Sequence, residues 1–227
     1  MNIQQLEQLK IYQQAETDRI RSVLLQELDV FISMLLESET SEYRDWVYEL
    51  SKQVIDEENG FPIRMPLFEN ILFPILHKGY KSQAPNTARW LAGFSQHIYK
   101  CKTAQKELGE NYSELYFLRQ AMKHEPTDNL SRRKLIRVMA WQLDYSIHEV
   151  PSGVLLGHNG ASVEECDVLS GSLAEFKLLV KNTSSSEEYV QLIDDCTFHY
   201  REYKKYLVAR ESHDSYAAYL SSIEKGA

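Results

Sequence analysis

The 227-residue sequence lacks an apolar run long enough to cross a membrane. A spanning helix needs about twenty consecutive apolar residues, and the best candidate, 23–36, is interrupted by Gln26, Glu27 and Asp29. The opening residues MNIQQLEQLK have neither the basic start nor the apolar core of a signal peptide. These absences predict a cytoplasmic protein with no membrane partner.

Cysteine is also scarce, and the charge balance is not basic. The three cysteines, Cys101, Cys166 and Cys196, are an odd, widely spaced set without a C-x-x-C pair. Such a set predicts reduced thiols that are buried as small apolar residues. The net charge of −8 is unlike the basic surface of a general nucleic-acid binder, so a nucleic-acid partner is not expected.

The charge is distributed unevenly along the chain. Residues 1–60 carry 5 Lys/Arg against 13 Asp/Glu, residues 61–140 carry 13 against 6, and residues 141–227 carry 7 against 14. This acidic–basic–acidic order indicates either that the ends fold back on the middle or that separate faces meet separate partners.

The sequence contains no sustained period-two alternation of the kind that strands show. Apolar residues instead recur at helical spacing, as in Tyr43, Trp46, Val47 and Leu50. We predict one all-α domain over residues 1–227, with possible sub-blocks 1–80 and 81–227. About eight or nine helices would form irregular antiparallel hairpins. In the first block, 4–37, apolar residues recur at helical spacing and predict one face toward the core; they include Leu6, Ile20, Val23 and Leu36. Thr17-Asp18 has the pattern of an internal helix start, which favours a short helix followed by a long one.

One short stretch resembles a known family. Leu118, Ala121, Met122 and Pro126, followed by Asp128, resemble the second helix of a tetratricopeptide repeat and its closing turn. The resemblance covers about half of one repeat, and no 34-residue period recurs elsewhere in the chain. The resemblance implies antiparallel helix pairs and no more. The predicted hairpins as a whole would form an irregular scaffold similar to an α-solenoid.

The next predicted helix, 130–149, opens with a basic run. Arg133 and Arg137 share a face and are candidate binding residues for phosphates or for a protein partner. The total charge favours solvation, or pairing with the acidic ends of the chain, over nucleic acid. Trp141 and Tyr145 lie four residues apart on another face, which predicts that this helix packs on two sides.

The segment 148–166, HEVPSGVLLGHNGASVEEC, is the least helix-like part of the chain. Pro151 predicts a helix end, Asn159-Gly160 a tight turn, and Ser162–Glu165 a capping box. Loops on rigid scaffolds often carry function. The candidate binding residues of the segment are His148, Glu149, Ser152, His158 and Cys166.

The sequence predicts neither a metal nor a cofactor. Cys196 and His199 form one possible ligand pair, whereas structural zinc sites usually combine two tight pairs. The 148–166 segment has no nucleophile elbow, zinc-protease motif or phosphate-binding glycine pattern. Because none of these motifs is present, the second choice is an enzyme or ligand-binding protein. It would use His148, Glu149 and Cys166 together with His158.

The aromatic content favours protein binding. Six tyrosines lie beyond residue 180 and do not fit one helical face, which predicts that some are exposed or at an interface; they are Tyr189, Tyr200, Tyr203, Tyr206, Tyr216 and Tyr219. We therefore predict a non-catalytic cytoplasmic interaction module with a protein partner. An immunity or adaptor protein for a basic partner would suit the acidic charge.

Overall fold

A computed structural model describes residues 1–156, 158–159, 161–181, 183 and 186–225. The chain folds as two compact units, Met1–Ser131 (unit 1) and Arg132–Ala227 (unit 2). The predicted all-α class is confirmed, and the described residues form more helical segments than the eight or nine predicted. None of these helices is long and apolar enough to cross a membrane.

Unit 1 is built from short helices, and the most apolar helical stretch, residues 65–81, lies in its core. Its helices are α1 Ile3–Asp18, α2 Arg21–Leu36, α3 Thr40–Ser51, α4 Met65–Leu67, α5 Phe73–Lys81, α6 Thr87–Gly93, α7 Ser95–Ile98, α8 Lys102–Leu108 and α9 Glu114–His124. A π-helical turn, Lys52–Asp56, extends α3, and a second, Phe68–Leu72, joins α4 to α5.

The second π-helical turn accommodates a proline inside this stretch. Pro74 lies in the first turn of α5, where its missing N–H needs no acceptor. The backbone N–H of Phe73 bonds five residues back to Phe68, the spacing of a π-turn. The helical path therefore continues through the proline, and Phe68, Ile71 and Leu72 are completely buried in the core of unit 1.

The first block is two helices, as the Thr17-Asp18 pattern favours, but both have 16 residues, and the predicted core face is wrong for four of its members. α1 ends at Asp18, Arg19 takes a left-handed conformation, and the chain reverses into α2. Each helix of this hairpin therefore has its own buried stripe. Leu6, Ile20, Val23 and Leu36 lie outside those stripes and are 39% or more exposed, like four other aliphatic side chains of the first 36 residues.

Unit 2 contains most of α10 (Asn129–Glu149), then α11 Val163–Val180, α12 Val190–Val208 and α13 Tyr216–Lys225. Helix α11 packs on α12, and α12 contacts α13. Short strands β1 (Val154–Leu155) and β2 (His158–Asn159) form an antiparallel hairpin before α11, with Val154 opposite Asn159 and Leu155 opposite His158.

The tyrosines of unit 2 are largely core residues, so the prediction that some of the six are exposed is wrong. Tyr189 is half-buried against Phe176, and the other five are buried. Because α12 and α13 face each other, their tyrosines fill one space from two sides. We call Tyr203, Tyr206, Tyr216 and Tyr219 the tyrosine cluster; their ring centroids lie 4.9–6.2 Å apart.

One carboxylate is buried beside this cluster. Glu202 is 4% exposed. The Tyr219 hydroxyl donates to its Oε2 at 3.0 Å, and Lys205 donates to its Oε1, also at 3.0 Å. Burial by itself raises the pKa of Glu202, but hydrogen bonds from Lys205, Arg201 and Tyr219 outweigh it and hold the pKa below its ordinary value. Glu202 is therefore a charged group of the folded unit.

The substitution Glu202→Gln is expected to destabilise unit 2 by about 1–3 kcal/mol at neutral pH, because a buried charge-assisted hydrogen-bond acceptor is lost. The folded-state pKa lies below the unfolded value, so the carboxylate stabilises the fold above the ordinary value of 4.5. That contribution disappears as the pH falls through the folded-state pKa. Urea titrations at a series of pH values should show wild type and variant converging in acid.

The matched control for this titration is Glu211→Gln, which neutralises an exposed glutamate of the same unit. We expect it to stay within about 0.5 kcal/mol of wild type. A Glu202→Gln deficit that is constant from neutral to acid pH would contradict a charged Glu202.

Candidate functional site

Helix α10 presents one exposed face that combines basic and aromatic side chains. Arg133, Arg137, Trp141 and Tyr145 follow one another at four-residue steps, and His148 follows three residues later. This spacing places them along one side of the helix. All five are exposed, and we call them the α10 stripe.

The opposite side of α10 is buried and fixes the helix that carries the stripe. Leu135, Ile136, Met139 and Leu143 recur at helical spacing and are 1–6% exposed. The Ser146 hydroxyl, also buried, donates to the carbonyl oxygen of Leu143 at 2.7 Å. A helix fixed along one side carries its exposed residues on a rigid backbone, so little backbone entropy is lost when they bind.

Trp141 and Tyr145 form the centre of the stripe. Trp141 is 66% exposed and Tyr145 49%. Their rings stack with centroids 5.9 Å apart and planes 23° from parallel. A single exposed apolar residue needs no explanation, but a stacked aromatic pair next to two exposed arginines has the composition of an interface hot spot.

The structure corrects the prediction that this helix packs on two sides. The face with Trp141 and Tyr145 is open, so only the Leu135–Leu143 side is buried. A signal was present in the sequence, because the two aromatic residues continue the four-residue spacing of Arg133 and Arg137. Apolar periodicity alone does not distinguish a face that packs from a face that is exposed.

The 148–166 segment has the boundaries that the sequence predicts at both ends. Helix α10 ends at Glu149, and Pro151 is the second residue of a short 3₁₀ turn, Val150–Ser152. At the other end, Ser162 and Glu165 form the predicted capping box at the start of α11.

Between these ends, the predicted Asn159-Gly160 turn lies only partly within the described residues. Asn159 lies in strand β2, and Gly160 lies outside the described residues. Leu156, which directly follows β1, has a φ of 48° and begins the reversal of the hairpin. Gly153 has a φ of 72° at the end of the 3₁₀ turn, a conformation that glycine adopts without strain.

The candidate residues of this segment lie in different environments. His148 and Ser152 are exposed, Glu149 is half-buried, and Cys166 is buried in α11. The backbone of His158 is in β2, and its side chain lies outside the described part. The His148 imidazole is 3.8 Å from the Asp144 carboxylate, and both are well exposed. Such a pair contributes little to stability.

The thiols of unit 2 are poorly suited to nucleophilic chemistry. Burial raises the pKa of Cys166 to about 11 and that of Cys196 to about 11. At neutral pH both are thiols, whereas the thiolate is the reactive form. The Cys196 sulfur lies 3.9 Å from the carbonyl oxygen of Leu143.

The Cys196–His199 pair does not extend to a metal site in the described part of the chain. The His199 Nδ1 lies 3.1 Å from the Tyr216 hydroxyl, so that nitrogen already has a partner. Among the described residues, no group of three or more His, Cys, Asp or Glu side chains is placed to hold a metal ion.

Comparisons with known proteins add no family to these observations: no protein-family model, no curated protein and no solved structure matches the chain. The resemblance to a tetratricopeptide half-repeat thus rests on its own residues, of which Leu118 and Ala121 are buried in α9, and α9 packs on α6.

Proposed function

We propose that the protein is a non-catalytic interaction module that binds a partner protein through the α10 stripe. The observation that supports this most is the stacked and largely exposed Trp141–Tyr145 pair on a helix buried along its other side. Tryptophan, tyrosine and arginine are the residues that most often dominate binding energy at interfaces. The helical hairpins would serve as a scaffold similar to a helical repeat.

The charge of the stripe indicates what it would bind. Arg133 and Arg137 extend from one end of the aromatic pair. A complementary surface would offer an apolar socket for Trp141 with carboxylates beside it. The basic partner favoured by the net charge of −8 would bind a different, acidic surface of the chain. An adaptor could bind an acidic partner through the α10 stripe and a basic partner through another surface. This role would fit both the charge of the stripe and the net charge of the chain.

The cysteines support an intracellular setting as part of this proposal. All three are free and buried. Reduced, unpaired thiols are typical of compartments with a reducing glutathione pool.

The test is a comparative pull-down from the organism that makes the protein. Immobilised wild type is compared with a Trp141→Ala/Tyr145→Ala variant by quantitative mass spectrometry. We expect at least one protein to be retained by wild type and reduced at least about tenfold by the variant, which corresponds to about 1.4 kcal/mol of binding free energy. Circular dichroism checks that the variant keeps its helices.

The matched control is Leu178→Ala/Val208→Ala. These two side chains are also in unit 2 and are 75% and 76% exposed, but they lie on α11 and α12. The control should retain the same proteins as wild type. If all three baits retain the same proteins in equal amounts, the stripe is not the binding surface.

A further inference from the structure

The α1–α2 hairpin has an unpartnered outer side. On its inner side, Tyr12, Leu28, Phe31 and Leu35 are completely buried, and α2 contacts α4 in the core of unit 1. The outer side has the opposite character. Ile11 is 49% exposed, Ile20 56% and Val23 43%. The hairpin is therefore apolar on two sides, and one of them is open.

These exposed residues line a groove between the two helices near the chain reversal. The groove has a volume of about 230 Å³. Ile11, Ile20 and Val23 form its apolar lining, and Ala15, which is buried, leaves room between them because its side chain is a single methyl group. The space is large enough for one large aliphatic or aromatic side chain.

The groove has acidic residues on both helices. Asp18 at the end of α1 and Glu27 on α2 belong to its lining, and no lysine or arginine does. Each carboxylate has one uncharged partner: Gln14 donates to Asp18 at 2.8 Å, and Gln8 donates to Glu27 at 2.8 Å. Neither carboxylate forms an ion pair with any residue of the described part.

The lining residues along α2 define how long the groove is. Ile20 directly precedes α2, and Val23 and Glu27 follow it at steps of three and four, so the three residues span about 10 Å along one side of the helix. A helix laid into a groove between two helices presents its own side chains at the same steps. One apolar side chain of such a helix can enter the groove while residues one turn before and after it reach Asp18 and Glu27.

We propose that this groove binds a basic amphipathic helix of a partner protein. The bound helix presents one large apolar side chain with a lysine or arginine about one turn away on either side. The apolar side chain occupies the space above Ala15, and the two cations pair with Asp18 and Glu27. This surface lies in unit 1 and shares no residue with the α10 stripe.

The acidic lining is what selects this occupant. An acidic helix or an anionic lipid surface would bring like charge against two carboxylates that have no cation of their own. A second copy of this chain would bring a net charge of −8. A basic helix instead gains both the burial of an apolar side chain and two charge pairs.

The test uses two fluorescein-labelled helical peptides and fluorescence anisotropy. Both are alanine-rich 18-residue sequences with one central leucine. One carries lysine four residues before and three residues after the leucine, and the other carries glutamate at those positions. We expect wild-type protein to bind the lysine peptide at least about tenfold more tightly than the glutamate peptide at low salt.

Two pairs of protein variants locate the binding. Val23→Gln changes the lining and should weaken the lysine peptide about tenfold, whereas Leu25→Gln should not, although Leu25 is on the same helix and is 39% exposed. Asp18→Lys/Glu27→Lys should reverse the preference in favour of the glutamate peptide. Glu7→Lys/Asp29→Lys makes the same change of charge at exposed positions that do not line the groove and should keep the lysine preference.

Three results would overturn the proposal. The first is that neither peptide binds wild type at millimolar concentration. The second is that Val23→Gln and Leu25→Gln weaken the lysine peptide equally, which would place its binding elsewhere. The third is a wild-type dimer in sedimentation equilibrium that Val23→Gln dissociates, since the occupant would then be a second copy. Circular dichroism of each variant excludes unfolding as the cause of a loss.

Discussion

The substitution Arg89→Met is expected to lower the free energy of unfolding of unit 1 by about 3–5 kcal/mol, because it removes the cation from a buried cluster of carboxylates. Arg89 is 5% exposed. Its Nε and Nη2 donate to the two carboxylate oxygens of Asp56, each at 2.9 Å, and its Nη1 donates to Asp128. Methionine can fill the space of the side-chain stem but donates no hydrogen bond.

The cluster joins segments that are far apart in the sequence. Asp56 ends the π-helical turn after α3, Arg89 lies in α6, and Asp128 directly precedes α10. The Trp90 indole also donates to Asp56, at 2.9 Å. Burial by itself raises the pKa of Asp128. A hydrogen bond from Ser131 and the charge of Arg89 together outweigh burial, so the pKa lies below its ordinary value. Asp128 is therefore charged, and both aspartates accept hydrogen bonds from the guanidinium.

Urea titrations followed by circular dichroism and tryptophan fluorescence measure this effect. Arg89→Lys keeps the charge but loses the bidentate geometry, so we expect a smaller deficit of about 1–3 kcal/mol. Arg44→Met removes an exposed arginine that pairs with Asp45 and should cost less than about 0.5 kcal/mol. An Arg89→Met deficit no larger than that of Arg44→Met would contradict the role of Arg89.

A further variant separates the loss of the pair from the exposure of buried charge. Adding Asp56→Asn and Asp128→Asn to Arg89→Met removes the two uncompensated carboxylates. Most of the cost of breaking a buried ion pair lies in the charge left behind, so we expect the triple variant to be more stable than Arg89→Met alone. If the triple variant is less stable than the single one, the hydrogen bonds rather than the charges dominate.

This cluster depends on residues that are far apart in the sequence, and local sequence patterns do not reveal such contacts. Asp56 belongs to the acidic run 56–58 at a helix end, where negative charge is locally unfavourable. Its compensation is Arg89, 33 residues away. Helix ends, in contrast, depend on neighbouring residues. The stop at Pro151 and the capping box of Ser162 and Glu165 were therefore predictable from the sequence.

The two candidate surfaces show the same limit of periodicity. Val23 and Trp141 both lie on apolar helical stripes, and the sequence predicts that both are packed. Each of their helices has a second apolar stripe that is buried, and a stripe's spacing contains no information on whether a neighbour covers it. The tyrosines of α12 and α13 show the opposite error. Their number predicts that some of them are exposed, but the two facing helices bury them.

The pairing of those two helices leads to the second large effect. Tyr216→Ala is expected to destabilise unit 2 by about 3–5 kcal/mol, the usual cost of deleting a buried aromatic ring. Tyr216 is 4% exposed and meets three other rings of the tyrosine cluster. The Tyr203 ring lies edge-on with its centroid at 4.9 Å, followed by Tyr206 at 5.6 Å and Tyr219 at 6.2 Å.

Tyr216→Phe is the matched control, because it keeps the ring and removes only the hydroxyl that lies 3.1 Å from His199. We expect it to cost about 0.5–1.5 kcal/mol in urea titrations. Since the tyrosine cluster holds α13 against α12, Tyr216→Ala should also speed tryptic cleavage after Arg210, which lies between the two helices. Equal deficits for the two variants would instead make the hydroxyl the main contributor and leave ring packing a minor one.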